Sequence, residues 1–309
     1  MLNIPTSFDL KIKDSKNILL LSVRDSAMLS SLPIYLYLRK LNKEVHIANY
    51  SATDFATVRN YADPVIMDAN ILGATSIIKE KNQSYQEGYL SLWFKQFFKL
   101  PEEKVIWFVN KVGPKALTES YKKLIAHLEI DTIIFVDFGV DSLLFGTEQD
   151  CPRTIIDSCI NYSAFKNIEI ENKISVIIGA TTETNGEDVY FSAMRNLTRM
   201  SQQGGVLGSC NLMNYMKSFQ VLKNACQFIS FQSGAEISET NKIILSSVEG
   251  IDFDDENNQV PYVSLLMSQY WFLDANAIAY NNAILQEISE FSSYYDIVQF
   301  IMPRLRKSN

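Results

Sequence analysis

The chain has 309 residues, 47% of them hydrophobic and 20% charged, which is the composition of an ordinary globular protein with a sizeable core. Its formal net charge of −7 and its scattered lysines and arginines argue against a nucleic-acid-binding protein. The N-terminal residues lack the apolar stretch of a signal peptide, no apolar run reaches membrane-spanning length, and the four cysteines lack CxxC spacing, so we expect a cytoplasmic protein that does not bind a membrane.

Short apolar runs alternate with helical patterns in the first third of the chain. Asn17–Leu21 predicts a buried parallel strand, because it is too short for a helix and is flanked by polar residues. A helical pattern with Pro33 in its first turn follows, and Glu44–Ala48 predicts the second strand. Residues 51–100 have a mixed pattern that ends in many aromatic residues. They indicate an insertion packed over the sheet edge or over a ligand crevice.

The same alternation continues to about residue 200. Three further strands are predicted, each followed by a helical pattern: Lys104–Val109, Thr132–Val136 and Ile174–Ile178. Regular alternation with short connections is typical of a mostly parallel sheet with helices on both faces. We therefore expect a three-layer, Rossmann-like α/β fold whose central strands are these three and the two before them.

The last third of the chain has mainly helical patterns. Asn211 follows a glycine-rich turn and is suited to cap the first of these helices. We expect a helical C-terminal part over about residues 211–309. A length of 309 is long for one domain and short for two, since single cores stop growing at roughly 250–300 residues. We therefore expect one α/β domain over residues 1–309.

Carboxylates are concentrated directly after the strand Thr132–Val136. Ligands of open α/β sheets lie beyond the carboxyl ends of the strands, so Asp137, Asp141 and Glu148 are our candidate catalytic residues. If the loop brings them together, they could bind a divalent cation, or act as an acid and a base with separated pKa values. They could also hydrogen-bond the hydroxyls or amines of a ligand. The alternative is that Asp137 and Asp141 only cap the following turn and helix.

Several separated stretches resemble the family called domain of unknown function 1152, in the same order, between Asn17 and about Leu285. Among them are EGYLSLWF, VGPKALTESYKKL, VDFGVDSLLFGTE and LTRMSQQGGVLGSCNL. The resemblance supports the fold but implies no settled activity or cofactor. In the carboxylate loop the chain keeps the family's Gly139, Ser142 and Gly146, which become candidate ligand-binding residues. Phe138 stands where the family has its first loop glycine.

The turn after the first strand departs from the family. Relatives have a glycine run ending in aspartate, whereas this chain has Ser22, Val23 and Arg24 before Asp25. Glycines let backbone N–H groups approach a phosphate without interference from Cβ atoms. Arg24 and Asp25 remain candidate ligand-binding residues, but we expect no nucleotide phosphate to bind at this turn.

Other reactive residues have weaker signals. His46 lies in a strand pattern and His127 near the end of a helix, where packing or surface positions are commoner than catalysis. Cys151 begins a predicted helix over Cys151–Ile160, whose dipole favours a thiolate. The acidic run Asp252–Asn257 stands where the family has a histidine-containing segment.

Two hypotheses for the function follow. The first is an enzyme that acts on a small polar or nucleotide-like metabolite through Asp137, Asp141 and Glu148. The second is a catalytically degenerate relative that serves as a ligand sensor or as a non-catalytic partner subunit. The enzyme and the sensor expect a small-molecule ligand, and the sequence leaves open the substrate, a metal, and a homo-oligomer or other protein partner.

Overall fold

A computed structural model describes residues 1–24, 27–99, 103–148, 153–180, 187–250 and 264–305. Three of the sequence predictions fall outside these ranges: those for Asp25, for Cys151 and for the acidic run Asp252–Asn257.

Nine strands form one sheet in the described part of the chain. In chain order they are β1 Asn17–Ser22, β2 Glu44–Tyr50, β3 Val65–Ile66, β4 Ile71–Ala74, β5 Ile106–Val109, β6 Thr132–Phe138, β7 Asn172–Ile178, β8 Val206–Asn211 and β9 Gln269–Asp274. Their order across the sheet is β3-β4-β5-β2-β1-β6-β7-β9-β8. The central strands β5, β2, β1, β6 and β7 are mutually parallel, which confirms the five predicted strands. The pairs at both edges are antiparallel.

Helices account for about 48% of the residues that the structure describes, so the fold is mixed α/β. They are α1 Thr6–Lys11, α2 Leu32–Lys40, α3 Val58–Tyr61, α4 Gln86–Phe97, α5 Pro114–His127, α6 Ile155–Lys166, α7 Glu187–Gln202, α8 Lys217–Ser233, α9 Glu239–Glu249, α10 Ala275–Asn281, α11 Ile284–Glu287 and α12 Tyr294–Leu305. Among the residues that the structure describes, every helix is too short or too polar to span a bilayer.

The central strands are buried on both faces. In β1, Ile18 and Leu20 belong to one apolar cluster, and Leu19 and Leu21 belong to another. Side chains of α2, α4 and α8 pack in the first cluster, and side chains of α5, α6 and α7 pack in the second. A strand covered on both sides must be apolar at every position, which is why β1 appears in the sequence as a continuous run.

Both edges of the sheet differ from the sequence prediction. At one edge, residues 51–100 contain β3 and β4, and β4 pairs with β5. At the other edge, β9 lies within the part expected to be helical and pairs with both β7 and β8. Asn211 ends β8 and does not cap a helix, and α8 begins only at Lys217. Antiparallel edge strands depend on partners distant in sequence, so no local pattern reveals them.

Candidate functional site

The site predicted after β6 is built around an arginine from the turn after β1. Ser22 at the end of β1 pairs with Val136 in β6, so the residues that follow the two strands meet at the carboxyl edge of the sheet. Arg24 Nε lies 3.2 Å from Asp137 Oδ1, and Arg24 Nη1 lies 3.1 Å from Asp141 Oδ2. We call this arrangement of Arg24, Asp137 and Asp141 the arginine bridge.

All three side chains of the arginine bridge are buried. The exposed fraction is 9% for Arg24, 1% for Asp137 and 0% for Asp141. One guanidinium therefore faces two carboxylates away from water. Burying charges costs solvation energy, which their attraction offsets only while every partner is present. Asp141 has no exposed surface, so it does not face an open crevice in this structure.

The Asp137 carboxylate accepts three hydrogen bonds in addition to its ion pair. Oδ1 accepts from the Phe138 backbone N at 2.8 Å, and Oδ2 accepts from Ser158 Oγ at 2.8 Å and from Ser142 Oγ. The Phe138 bond fits part of the capping alternative, since a backbone N–H is satisfied. Ser142, expected to bind a ligand, here donates to Asp137. Ser158 on α6 is a partner that the sequence analysis missed.

The side chain that replaces the family glycine fills space beside the arginine bridge. A Cβ built on Gly179 would lie 2.4 Å from Phe138 Cε2, so the Phe138 ring rests directly on the Gly179 backbone. The Arg24 guanidinium lies 5.8 Å from the centre of the same ring. Gly139 has a φ of 83° and donates its N–H to Ile178 O at 2.9 Å, which turns the chain away from the sheet. Gly139 is thus required by the backbone conformation.

The Glu148 carboxylate accepts hydrogen bonds from the backbone of the loop that contains it. Its Oε1 accepts from Phe145 N at 2.7 Å, and its Oε2 accepts from Gly146 N at 2.8 Å and from Thr147 N at 3.0 Å. Ser192 Oγ on α7 also donates to Oε1 at 2.8 Å. Gly146 has a φ of 83°. The loop therefore wraps its backbone N–H groups around this carboxylate.

The three carboxylates do not form the metal site that convergence of the loop would allow. Within the described ranges, no group of three or more histidine, cysteine, aspartate or glutamate side chains is arranged to hold a metal ion. The structure brings Arg24, Asp137, Asp141 and Ser142 together, while Glu148 and Gly146 form the separate loop just described. Spacing along the sequence could not predict this division, because it depends on where the loop turns.

A second ion pair, between the buried Asp157 and the one-third exposed Lys111, lies close to the arginine bridge, since Asp157 directly precedes Ser158. Lys111, just after β5, places Nζ 2.7 Å from Asp157 Oδ2 on α6. The same Nζ lies 5.7 Å from the ring centre of Tyr50 and 5.8 Å from that of Tyr294. Burial and the Asp157 carboxylate raise the pKa of Tyr50 well above 10, so this phenol stays neutral.

Asp157 has an acceptor to spare. Its Oδ1 is buried and makes no hydrogen bond of ordinary geometry to the residues that the structure describes, while the neighbouring Tyr294 hydroxyl, whose pKa is raised by burial and by the Asp157 carboxylate, interacts with the same carboxylate. Such an atom costs free energy until a donor reaches it. The sequence analysis missed both Asp157 and Lys111, although both follow from a parallel sheet: Lys111 follows the carboxyl end of β5, and Asp157 lies in the first turn of α6.

The family described as protein of unknown function (DUF1152) matches residues 69–301, which is well over half of the chain. The chain belongs to this family. The match begins after β1 and β2, so Arg24 lies outside it, while both aspartates of the arginine bridge lie inside it. No curated protein and no solved structure matches the chain.

Proposed function

We propose that this protein binds a small polar metabolite at the carboxyl edge of a three-layer, Rossmann-like domain, and that Asp137, Asp141 and Glu148 support the site without performing acid–base chemistry. This is the second of the two hypotheses, a catalytically degenerate relative. The arginine bridge is the observation that carries it. A carboxylate can act as acid or base only where a substrate can reach it.

The layered arrangement is supported by the strand order and the core. The five parallel strands lie in the order β5-β2-β1-β6-β7 across the sheet. Numbered along the chain among themselves, they have the order 3-2-1-4-5, which is the order of the doubly wound nucleotide-binding sheets. Apolar clusters on both faces of β1 are consistent with helices on both sides. In such sheets the ligand crevice opens where the strand order reverses, which here is between β1 and β6.

The hydrogen bonds that the carboxylates accept support a structural role for them. Asp137 accepts from Phe138 N, Ser142 and Ser158 and is paired with Arg24, which occupies its lone pairs. Both oxygens of Glu148 accept from loop N–H groups. These are the contacts of groups that order a loop.

Asp157 is the residue best placed to bind a ligand at this edge. Its Oδ1 is buried and makes no hydrogen bond of ordinary geometry within the described ranges, Lys111 holds its Oδ2, and Ser158 beside it contacts the arginine bridge. A ligand hydroxyl or amine would satisfy this acceptor. The same proposal retains the cytoplasm as the location, supported by the free thiols of Cys159, Cys210 and Cys226.

Two variants and the wild type test the proposal. The protein is purified without denaturation, and bound small molecules are identified by native mass spectrometry followed by release and fragmentation. We expect a hydroxyl- or amine-bearing molecule on the wild type and on Asp141→Asn, and its loss from Asp157→Asn. Asp141→Asn should instead lower the melting temperature, because it weakens the arginine bridge.

The enzyme hypothesis expects the opposite pattern. Under it, Asp141→Asn would lose the bound molecule, or turnover of it, while keeping the wild-type melting temperature. That result would overturn the structural role of the carboxylates. A wild-type protein that carries no molecule and binds none from a metabolite library would favour the non-catalytic partner subunit.

A further inference from the structure

A cavity of about 360 Å³ lies at the amino edge of the sheet, the opposite edge from the arginine bridge. Its size falls within the range of small-molecule pockets, roughly 300–1,000 Å³. It is lined by the end of α2, the start of β2, the residues that lead into β5, and the end of α5: Tyr35, Arg39, Glu44, His46, Glu103, Lys104, Val105, Trp107, His127 and Leu128.

Both histidines of the chain line this cavity, although they are 81 residues apart in sequence. His46 projects from β2, and its ring makes no hydrogen bond to any residue in the described part of the chain. The exposed His127 lies at the rim, where its ring meets Trp107 edge-on at 5.9 Å. A half-buried imidazole without a partner retains a donor and an acceptor for a bound molecule.

The formal charges of the cavity lining balance, because Arg39 and Lys104 stand against Glu44 and Glu103, but the contacts between these groups are uneven. Glu44 serves two cations: its Oε2 lies 2.7 Å from Arg39 Nη1 and its Oε1 lies 3.9 Å from Lys104 Nζ. Lys104 also donates to the backbone oxygen of Val45. The other carboxylate, Glu103, accepts from the Ser76 backbone N at 2.6 Å and from its hydroxyl at 2.5 Å.

The pKa shifts of the lining groups are caused mainly by burial, and neighbouring cations act in the same direction. Burial, followed by Lys104, lowers the pKa of His46 to about 4. Arg39 and His127 act in the same direction, and only Glu44 opposes them. Burial also lowers the pKa of Lys104 to about 8, with Glu44 opposing and Arg39 adding to the shift. An anion placed between these groups would raise both pKa values and would be attracted by the same charges.

The walls of the cavity are aromatic. Trp107 in β5 and Tyr35 in α2 are almost fully buried, and Lys104 Nζ lies 5.5 Å from the Tyr35 ring centre. The two rings belong to different apolar clusters, so a flat apolar group would contact one of them while its charged end reaches Lys104 and His46. The geometry points to a binding site at the amino edge for a small organic carboxylate with a flat, apolar body, held by Lys104 and His46 and separate from the carboxyl edge.

Because the chain has only two histidines, NMR can observe the site directly. The Cε1–H signals of His46 and His127 give two cross-peaks, which are assigned with His46→Gln. The probe is benzoate at millimolar concentration, and the matched control is benzamide, which has the same shape without the charge. We expect benzoate to shift the His46 peak saturably and to raise the His46 pKa, and benzamide to do neither.

Lys104→Met should weaken benzoate binding by at least about tenfold, since it removes a charge-assisted hydrogen bond. Lys122→Met, which changes an exposed lysine of α5 paired with Glu119, should bind benzoate as the wild type does. The proposal is overturned if benzoate leaves the His46 peak in place, if it moves only the His127 peak, if benzamide acts equally, or if Lys104→Met binds normally. The comparison of benzoate with benzamide on the wild type decides the matter even if Lys104→Met does not fold.

Discussion

The two edges of the sheet use charged side chains in opposite ways. At the carboxyl edge, Arg24, Asp137 and Asp141 are buried against one another. At the amino edge, His46 and Lys104 face a cavity, and Lys104 Nζ lies 3.9 Å from its carboxylate neighbour Glu44. The comparison teaches that a concentration of charge in the sequence does not by itself mark a binding site. What matters is whether the fold leaves the charged groups with partners of their own or directs them towards open space.

The largest expected effect tests the burial of the arginine bridge. Arg24→Met leaves Asp137 and Asp141 without their guanidinium, which should lower the free energy of unfolding by about 3–5 kcal/mol in urea denaturation. Arg39→Met at the amino edge is the control. Its side chain is 40% exposed and pairs with a half-exposed Glu44, so it should cost less than about 1 kcal/mol. Equal losses in the two variants would remove the difference between the edges.

Gly146 tests how tightly the Glu148 loop is packed. Gly146→Ala places a Cβ 2.7 Å from Ile284 Cγ1 at a φ of 83°, so we expect a loss of about 2–4 kcal/mol. Gly204→Ala has a similar φ of 75° with no atom within 4 Å, and should cost only about 1 kcal/mol of backbone strain. If the two variants have the same melting temperature, the loop adapts to the added Cβ atom and Glu148 does not hold it rigid.

The pH dependence of stability reports on the amino edge. Because the folded-state pKa of His46 is about 4, the unfolded chain binds more protons between that value and 6.5. The neutral His46 ring therefore makes its full contribution to the free energy of unfolding above pH 6.5. This contribution is lost as the pH falls towards 4. Allowing for solvent in the cavity, the loss is about 2 kcal/mol. His46→Gln should show a correspondingly smaller loss than the wild type in urea titrations at several pH values, and parallel curves would contradict the burial of this ring.

The smallest expected effect is that of added nucleotide on the melting temperature, where we expect no change. ATP or NAD at millimolar concentration should not shift the melting temperature, although tight binding would add roughly 2–4 kcal/mol through linkage. The structure adds a reason to the missing glycines: Val23 already donates its N–H to Val136 O at 3.1 Å, and Ser22, Val23 and Arg24 all have negative φ. A calorimetric signal for either nucleotide that Arg24→Ala abolishes would show that the turn binds phosphate after all.

Sequence reasoning found the central sheet because its signal is local. Five short apolar runs such as Thr132–Val136 are buried on both faces, and burial on both faces favours an apolar side chain at each position. The edges were missed for the converse reason. The strand β9 owes its conformation to β7 and β8, which precede it by about 60 to 100 residues.

The contacts of the predicted site residues could not be read from the sequence. Asp137 lies near the end of the central strand β6, and Asp141 and Glu148 follow that strand. Their partners come from elsewhere: Arg24 from the turn after β1, Ser158 from α6 and Ser192 from α7. A carboxylate that acts on a substrate and one that orders a loop can look the same in sequence, since the difference lies in these partners.

The sequence by itself determined the five parallel strands, the glycine-free turn at Ser22–Arg24 and the place of the carboxylate loop after β6. These depend on side-chain polarity and backbone freedom, which each residue carries with it. Only the tertiary structure decided that Arg24 pairs with both aspartates and that His46 and His127 share one cavity with Lys104. Electrostatic and hydrogen-bond energies depend on distance and burial in space, and residues far apart in the chain acquire both only when the sheet assembles.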